Sequence, residues 1–242
     1  MTRLAIAGLA LLLAAFPASA QFVPDNDVPA LLRDWAGLGR YHDDNAALQA
    51  PKADERRVVF LGDSITDSWG RGIGGFFPGK PYVNRGISGQ TTPQMLLRLR
   101  QDAIELKPAA VVVLAGTNDI AGNTGPMTLE QIEGHLASIA ELAHAHGIAV
   151  IMATLLPVTD AHGPQTGSRP PSKIAALNAW IRDYCKGGGC TLLDYHAATV
   201  GTDGALRTEL SDDGLHPNAR GYAVMAPLAE AAIARALSPG GK

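Results

Sequence analysis

Three uninterrupted apolar runs constrain this chain more than any other feature: Arg57–Leu61 (RVVFL), Ala110–Ala115 (AVVVLA) and Ile148–Thr154 (IAVIMAT). A strand with one face in water alternates polar and apolar side chains, whereas a strand covered on both faces is apolar throughout. Tyr82–Asn84 and Thr191–Leu193 read as two shorter strands. Between the runs lie stretches with helical periodicity: Val28–Gln49, Thr92–Glu105, Thr128–His146, Ser172–Cys185 and Asn218–Leu237. Strands alternating with helices describe βαβ units around a parallel sheet, and predict a three-layer α/β/α sandwich with five parallel strands. Thr128 with Gln131 three residues on forms a capping box, and Gly147 stops the same helix. His144 and His146 are therefore read as helix-end residues.

The first twenty residues, MTRLAIAGLALLLAAFPASA, carry one Arg, an apolar stretch from Leu4 to Phe16 and the small-residue site Ala18-Ser19-Ala20. That is the pattern of a cleaved secretory signal, and the apolar stretch is shorter than the roughly 20 residues a membrane-spanning helix needs. The expectation is a signal peptide over 1–20, a single domain over 21–242, a secreted or periplasmic protein and no stable membrane anchor. Of the 20 Lys and Arg, only Arg3 lies in that segment, leaving 19 against 23 Asp and Glu. A mild acidic excess argues against a nucleic-acid partner. The only two cysteines, Cys185 and Cys190, are separated by Lys-Gly-Gly-Gly. In an oxidising compartment they are expected to pair, stabilising the fold by on the order of 2 kcal/mol for so short a loop; two cysteines without a second ligand pair do not make a zinc site.

In an open parallel sheet the loops leaving the carboxyl ends of the strands form the ligand crevice. Four polar segments attract attention there. Gly62-Asp63-Ser64-Ile65-Thr66 follows the first run, placing Ser64 where strand gives way to helix and backbone N–H groups point outward. Asp213-Gly214-Leu215-His216-Pro217 leads into the last helix, and an Asp three residues before a His can accept its Nδ1–H and leave Nε2 free to take a proton. Asp212, four before the His, ranks second. Asn84-Arg85-Gly86-Ile87-Ser88-Gly89-Gln90 and Gly116-Thr117-Asn118-Asp119 offer a backbone N–H and a side-chain amide of the kind that hold a developing oxyanion. Each segment alone has a plainer reading: a helix cap, an acidic turn, a turn glycine, an Asx turn.

Taken in order, the four segments resemble the sequence blocks of the SGNH (GDSL-like) hydrolases, spanning Gly62 to His216, with Ile65 where the family's name-giving motif has Leu. The resemblance implies a flavodoxin-like fold and a serine esterase. It places the nucleophile at Ser64, the base at His216 and its acid at Asp213, with an oxyanion hole from the Ser64 and Gly89 N–H groups and the Asn118 amide. No metal or organic cofactor is implied. The stretches GDSITDSW, NRGISGQTT and LAGTNDIAGN look like members related to acetylhydrolases and carbohydrate acetylesterases, so the expected substrate is a small-molecule or glycan O-acyl ester. Asp63, Trp69 and Arg85 are candidate substrate contacts, Trp69 with Phe76 and Phe77 as a sugar-stacking face. The loop Pro157–Pro171 is placed on the leaving-group side.

Other readings are weaker. Gly70–Gly75 satisfies G-x-G-x-x-G, but no strand precedes it and no amphipathic helix follows, so it is read as a loop. Asp63, Asp67, Asn118, Asp119 and His216 can be drawn as a two-metal phosphoesterase, but the remaining histidines lack the neighbours such a cage needs. A lysophospholipase, thioesterase or arylesterase of the same family is the runner-up, and an inactive glycan-binding module is a third.

Overall fold

The structure, a computed structural model, describes residues 33–238. The signal-peptide segment 1–20 lies outside them, as does the start of the expected helix from Val28. Five strands, β1 (Val58–Gly62), β2 (Tyr82–Gly86), β3 (Ala110–Leu114), β4 (Ala149–Ala153) and β5 (Thr191–Leu193), form one sheet in the order β2-β1-β3-β4-β5. Every pairing is parallel. The connection reverses direction between β1 and β3, and that switch opens the crevice expected of a doubly wound sheet.

Successive side chains of a strand point to opposite faces, and the three apolar runs divide accordingly. Val59, Leu61, Val111, Val113, Val150 and Met152 pack in one core. It is covered by α3 (Thr92–Asp102), α5 (Leu129–Ala145) and α6 (Pro171–Tyr184), which contribute Met95, Leu136 and Leu177 among others. Val58, Phe60, Val112, Leu114, Ile151 and Ala153 pack in the second core against Tyr222, Met225, Ala229 and Ile233 of α8 (Ala219–Ala236). Continuous apolarity thus reports burial on both faces, and the three-layer α/β/α sandwich is the observed fold.

Boundaries fall within a few residues of the expected ones, and Thr128 and Gln131 cap α5 reciprocally. Three short helices escaped the periodicity: α2 (Ser64–Asp67), α4 (Thr117–Ile120) and α7 (Tyr195–Thr199). Four or five residues are too few to show a 3.6-residue repeat. The long helix expected over Val28–Gln49 is not formed in its described part, where turns lead to α1 (His42–Ala47). Asp34 breaks it by accepting hydrogen bonds from the Leu38 and Gly39 N–H groups at 2.7 and 2.8 Å. The resulting excursion buries Tyr41 against β2, where its hydroxyl donates to the Gly86 carbonyl.

Cys185 and Cys190 are bonded, their Cα atoms 4.4 Å apart, closing the turn between α6 and β5. Among the described residues no helix is long and apolar enough to cross a membrane.

Candidate active site

Ser64 is the first residue of α2, directly after β1, and Asp63 caps that helix by accepting from the Ile65 N–H at 2.9 Å. As the first helical residue, Ser64 has no carbonyl one turn back for its own N–H. Its Oγ lies 2.8 Å from His216 Nε2, although the two residues are 152 positions apart. His216 Nδ1 lies 2.6 Å from Asp213 Oδ2. A carboxylate there accepts only, so Nδ1 carries the proton and Nε2 is left to accept from Ser64.

It is Asp213, not Asp212, whose carboxylate reaches the His216 ring. Asp213 Oδ1 accepts from the His216 and Leu215 N–H groups at 2.7 and 2.9 Å, whereas Asp212 accepts from Asn218 Nδ2. Partial burial acts to raise the Asp213 pKa but is outweighed by the hydrogen bonds from the His216 ring and the two backbone N–H groups, which hold it down at about 2. Gly214 makes the turn possible. Its φ of +83° suits glycine, and a Cβ there would stand 2.1 Å from the Thr159 carbonyl oxygen.

Asn118 and Gly89 lie on neighbouring loops that hydrogen bonds tie together. Asn118, in the first turn of α4 and nearly fully buried, donates from Nδ2 to the Gln90 carbonyl at 3.0 Å. One amide hydrogen is thereby fixed and the other left free. Gly89 has a φ of +81° and open space where a Cβ would be, so its requirement is conformational. Its carbonyl accepts from Asn123 Nδ2 at 3.0 Å, and among the described residues its own N–H has no protein acceptor. Beneath these loops the buried Arg98 donates to the Gly62 and Arg85 carbonyls at 3.0 and 2.8 Å and to Gln90 Oε1, pinning the ends of β1 and β2 to the segment that holds Asn118.

Three further residues singled out in the sequence are not brought to this rim. Asp63 is completely buried behind Ser64. Trp69 is 3% exposed, its ring packed on Phe60, Phe77 and Tyr222, so it belongs to the core and no sugar-stacking face forms with Phe76 and Phe77. Arg85 is covered by the Tyr41–Asn45 excursion, its guanidinium 4.6 Å from the centre of the Tyr41 ring and its Nε donating to Asn45 Oδ1. The acids of the phosphoesterase drawing are dispersed: Asp119 accepts from the Thr92 N–H and hydroxyl, and Asp67 from the Ser88 hydroxyl. The Gly70–Gly75 segment forms turns beside Trp69, whose Nε1 donates to the Gly75 carbonyl.

Burial pushes the Asp63 pKa up to about 6 against the cap hydrogen bond from Ile65, and among the described residues its Oδ2 has no hydrogen-bond partner. A carboxyl whose pKa rises on folding favours the native state while protonated and costs stability as pH climbs from about 4 through about 6. Asp63→Asn keeps an N-cap acceptor and removes the buried charge. It should therefore stabilise the protein at pH 8, by about 2–3 kcal/mol on the scale of the shift, and by much less at pH 4. Urea unfolding at both pH values checks this; equal effects at the two would count against it.

The loop between β4 and α6 folds over the Asp213–Gly214 turn, with the Thr159 N–H donating to the Gly214 carbonyl at 3.0 Å and Gln165 Nε2 to the Asp213 carbonyl at 3.1 Å. It carries Arg169 to within 3.2 Å of Asn118 Oδ1.

Residues 60–224 match the GDSL-like Lipase/Acylhydrolase family. The chain belongs to that family. This acylhydrolase is 30% identical over 190 residues to the human platelet-activating factor acetylhydrolase IB subunit alpha2, covering 74% of this chain and 77% of that one. It is 29% identical over 224 residues to an acetylxylan esterase of Xylanibacter ruminicola, covering 77% of this chain but 45% of that longer protein. Its fold superposes on the crystal structure of a GDSL-like lipase from Bacteroides thetaiotaomicron with a TM-score of 0.78 and 44% identity, covering 84% of this chain and all of that one. The protein is a carboxylic ester hydrolase.

Proposed function

We propose that this acylhydrolase removes short acyl groups, acetyl foremost, from oxygen esters carried by a carbohydrate, with Ser64 as nucleophile, His216 as general base and Asp213 as its orienting acid. The observation that carries the reading is the unbroken hydrogen-bond succession from Ser64 Oγ through the His216 ring to the Asp213 carboxylate. His216 Nε2 takes the hydroxyl proton as Oγ attacks the ester carbonyl. The tetrahedral oxyanion is met by the Ser64 and Gly89 N–H groups and the free Asn118 amide hydrogen. His216 then returns the proton to the departing alcohol, and water cleaves the acyl-enzyme by the same route.

Acetyl preference draws support from the names of two relatives, an acetylxylan esterase and a platelet-activating factor acetylhydrolase subunit. Export is the companion proposal, resting on the 1–20 pattern and on a disulfide that an oxidising compartment sustains.

Hydrolysis of p-nitrophenyl acetate, butyrate and decanoate, followed by release of acetate from acetylated xylan, tests the substrate class. The expected order is acetate over butyrate, with decanoate lower by at least about 100-fold in kcat/KM, a margin of some 3 kcal/mol in transition-state binding. Preference for decanoate with inert acetylated xylan would assign the lipid-directed alternative. No hydrolysis of any ester would leave the glycan-binding module.

A further inference from the structure

We propose that Arg169 is a positioning residue of the oxyanion hole: its guanidinium holds the Asn118 carboxamide with one amide hydrogen left for the substrate oxygen, and sets a positive charge beside it. The inference rests on the serine-esterase reading above.

Asn118 is held from both ends by partners of fixed polarity. Its Nδ2 donates to the Gln90 carbonyl at 3.0 Å, an atom that only accepts, and its Oδ1 accepts from Arg169 Nη2 at 3.2 Å, a group that only donates. The amide therefore has one orientation. Without Arg169 the amide would be held by the Gln90 carbonyl alone, and its own carbonyl oxygen would be left to water.

Arg169 itself is placed at some cost. It is partly buried, among the described residues it forms no ion pair within 4 Å and its buried Nε has no acceptor, and the carboxylates of Asp63 and Asp213 act on it only from farther off. Its other contacts are neutral and long, Gln165 Oε1 at 3.3 Å and Ser168 Oγ at 3.2 Å from Nη1. A guanidinium with poorly matched neutral partners is normally a liability in a protein interior. Beside an amide that must stabilise a negative charge for an instant it has a use, because a cation on the carbonyl oxygen polarises the N–H at the other end. The loop that delivers it is tied to the Asp213–Gly214 turn, so the base and the oxyanion amide are braced by one segment.

A double-mutant cycle on p-nitrophenyl acetate, a neutral ester, tests the assignment. Arg169→Met should lower kcat by about 20-fold, a part of the 10²–10³-fold an oxyanion donor is worth, with KM changed by less than about 3-fold. In an Asn118→Ala background the same change should cost less than about 5-fold, because the group through which Arg169 acts is gone. Arg169→Lys, which retains the charge, should recover part of the loss. Melting temperatures accompany each variant, and Arg169→Gln replaces Met in the cycle if the Met protein melts early. A loss below about 5-fold in the otherwise unaltered enzyme, a loss confined to KM, or an undiminished loss on the Asn118→Ala background would each overturn the role, since coupling through Asn118 requires otherwise. Fluorophosphonate labelling of Ser64 in the same samples reports separately on the nucleophile.

Discussion

Ser64→Ala should give a protein that folds and melts like the unaltered enzyme yet hydrolyses esters at least about 10⁵-fold more slowly, the scale seen when a serine nucleophile is removed. The stability half of this expectation follows from what the hydroxyl touches. Ser64 opens a short helix whose cap is supplied by Asp63, and among the described residues its Oγ bonds only His216. Losing one partly exposed hydroxyl therefore removes little from the fold. The catalytic half follows from the lack of a substitute. The nearby Ser88 hydroxyl is engaged with Asp67 at 2.7 Å and has no imidazole behind it. Residual hydrolysis within about 100-fold of the unaltered rate would place the nucleophile elsewhere, since the oxyanion hole and binding alone sustain far less than the full machinery.

His216→Ala should be nearly as severe, with a loss of at least about 10⁴-fold in kcat. Among the described residues the imidazole is the only side chain within hydrogen-bonding distance of Ser64 Oγ. Without it the hydroxyl keeps its proton through the attack, and the departing alkoxide receives none. Asp213→Asn offers a finer version of the same test. Its amide would donate to Nδ1 where the carboxylate accepts, and the ring would then present a protonated Nε2 to Ser64, the wrong tautomer for a base. A loss approaching that of His216→Ala is expected, on the order of 10⁴-fold. The carboxyl of Asp213 is held at about 2, so it stays a carboxylate at every pH above about 4, and no fall in activity at neutral pH is traceable to it. Acetate release followed by pH-stat measures both variants; an Asp213→Asn enzyme within about 10-fold of the parent would remove the acid from the scheme, because a tautomer error costs far more.

The sheet was legible because its chemistry is local. Val58, Val59, Val112 and Ile151 are apolar whichever face they occupy, so both-sided burial is written in consecutive residues. The hydrogen-bonded succession of Ser64, His216 and Asp213 was legible for a different reason: each of its members sits in a short segment at the carboxyl end of a strand or the start of a helix, and topology brings such ends together. What could not be read was anything decided by a distant covering segment. Arg85 and Asp63 look like rim residues by position. Burial of the first follows from Tyr41 and Asn45, and the second is fully buried among apolar side chains that include Leu155 and Leu215. Trp69, Phe76 and Phe77 resembled a stacking surface because aromatic residues carry no sign of which way they face; Phe60 and Tyr222 gather them inward. The Val28–Gln49 helix was expected from periodicity, and the Asp34 side chain outcompetes it locally by capturing two backbone N–H groups. Arg169 carried no signal beyond its place near the end of a loop already placed on the leaving-group side, because its significance lies in one contact with Asn118, 51 positions earlier.

Reaction with a fluorophosphonate probe, with the adduct located by peptide mass spectrometry, tests the nucleophile assignment most directly. The expected result is a single phosphonylated residue, Ser64, with labelling lost in the His216→Ala protein. An unlabelled native enzyme, or an adduct on any other residue, would contradict it.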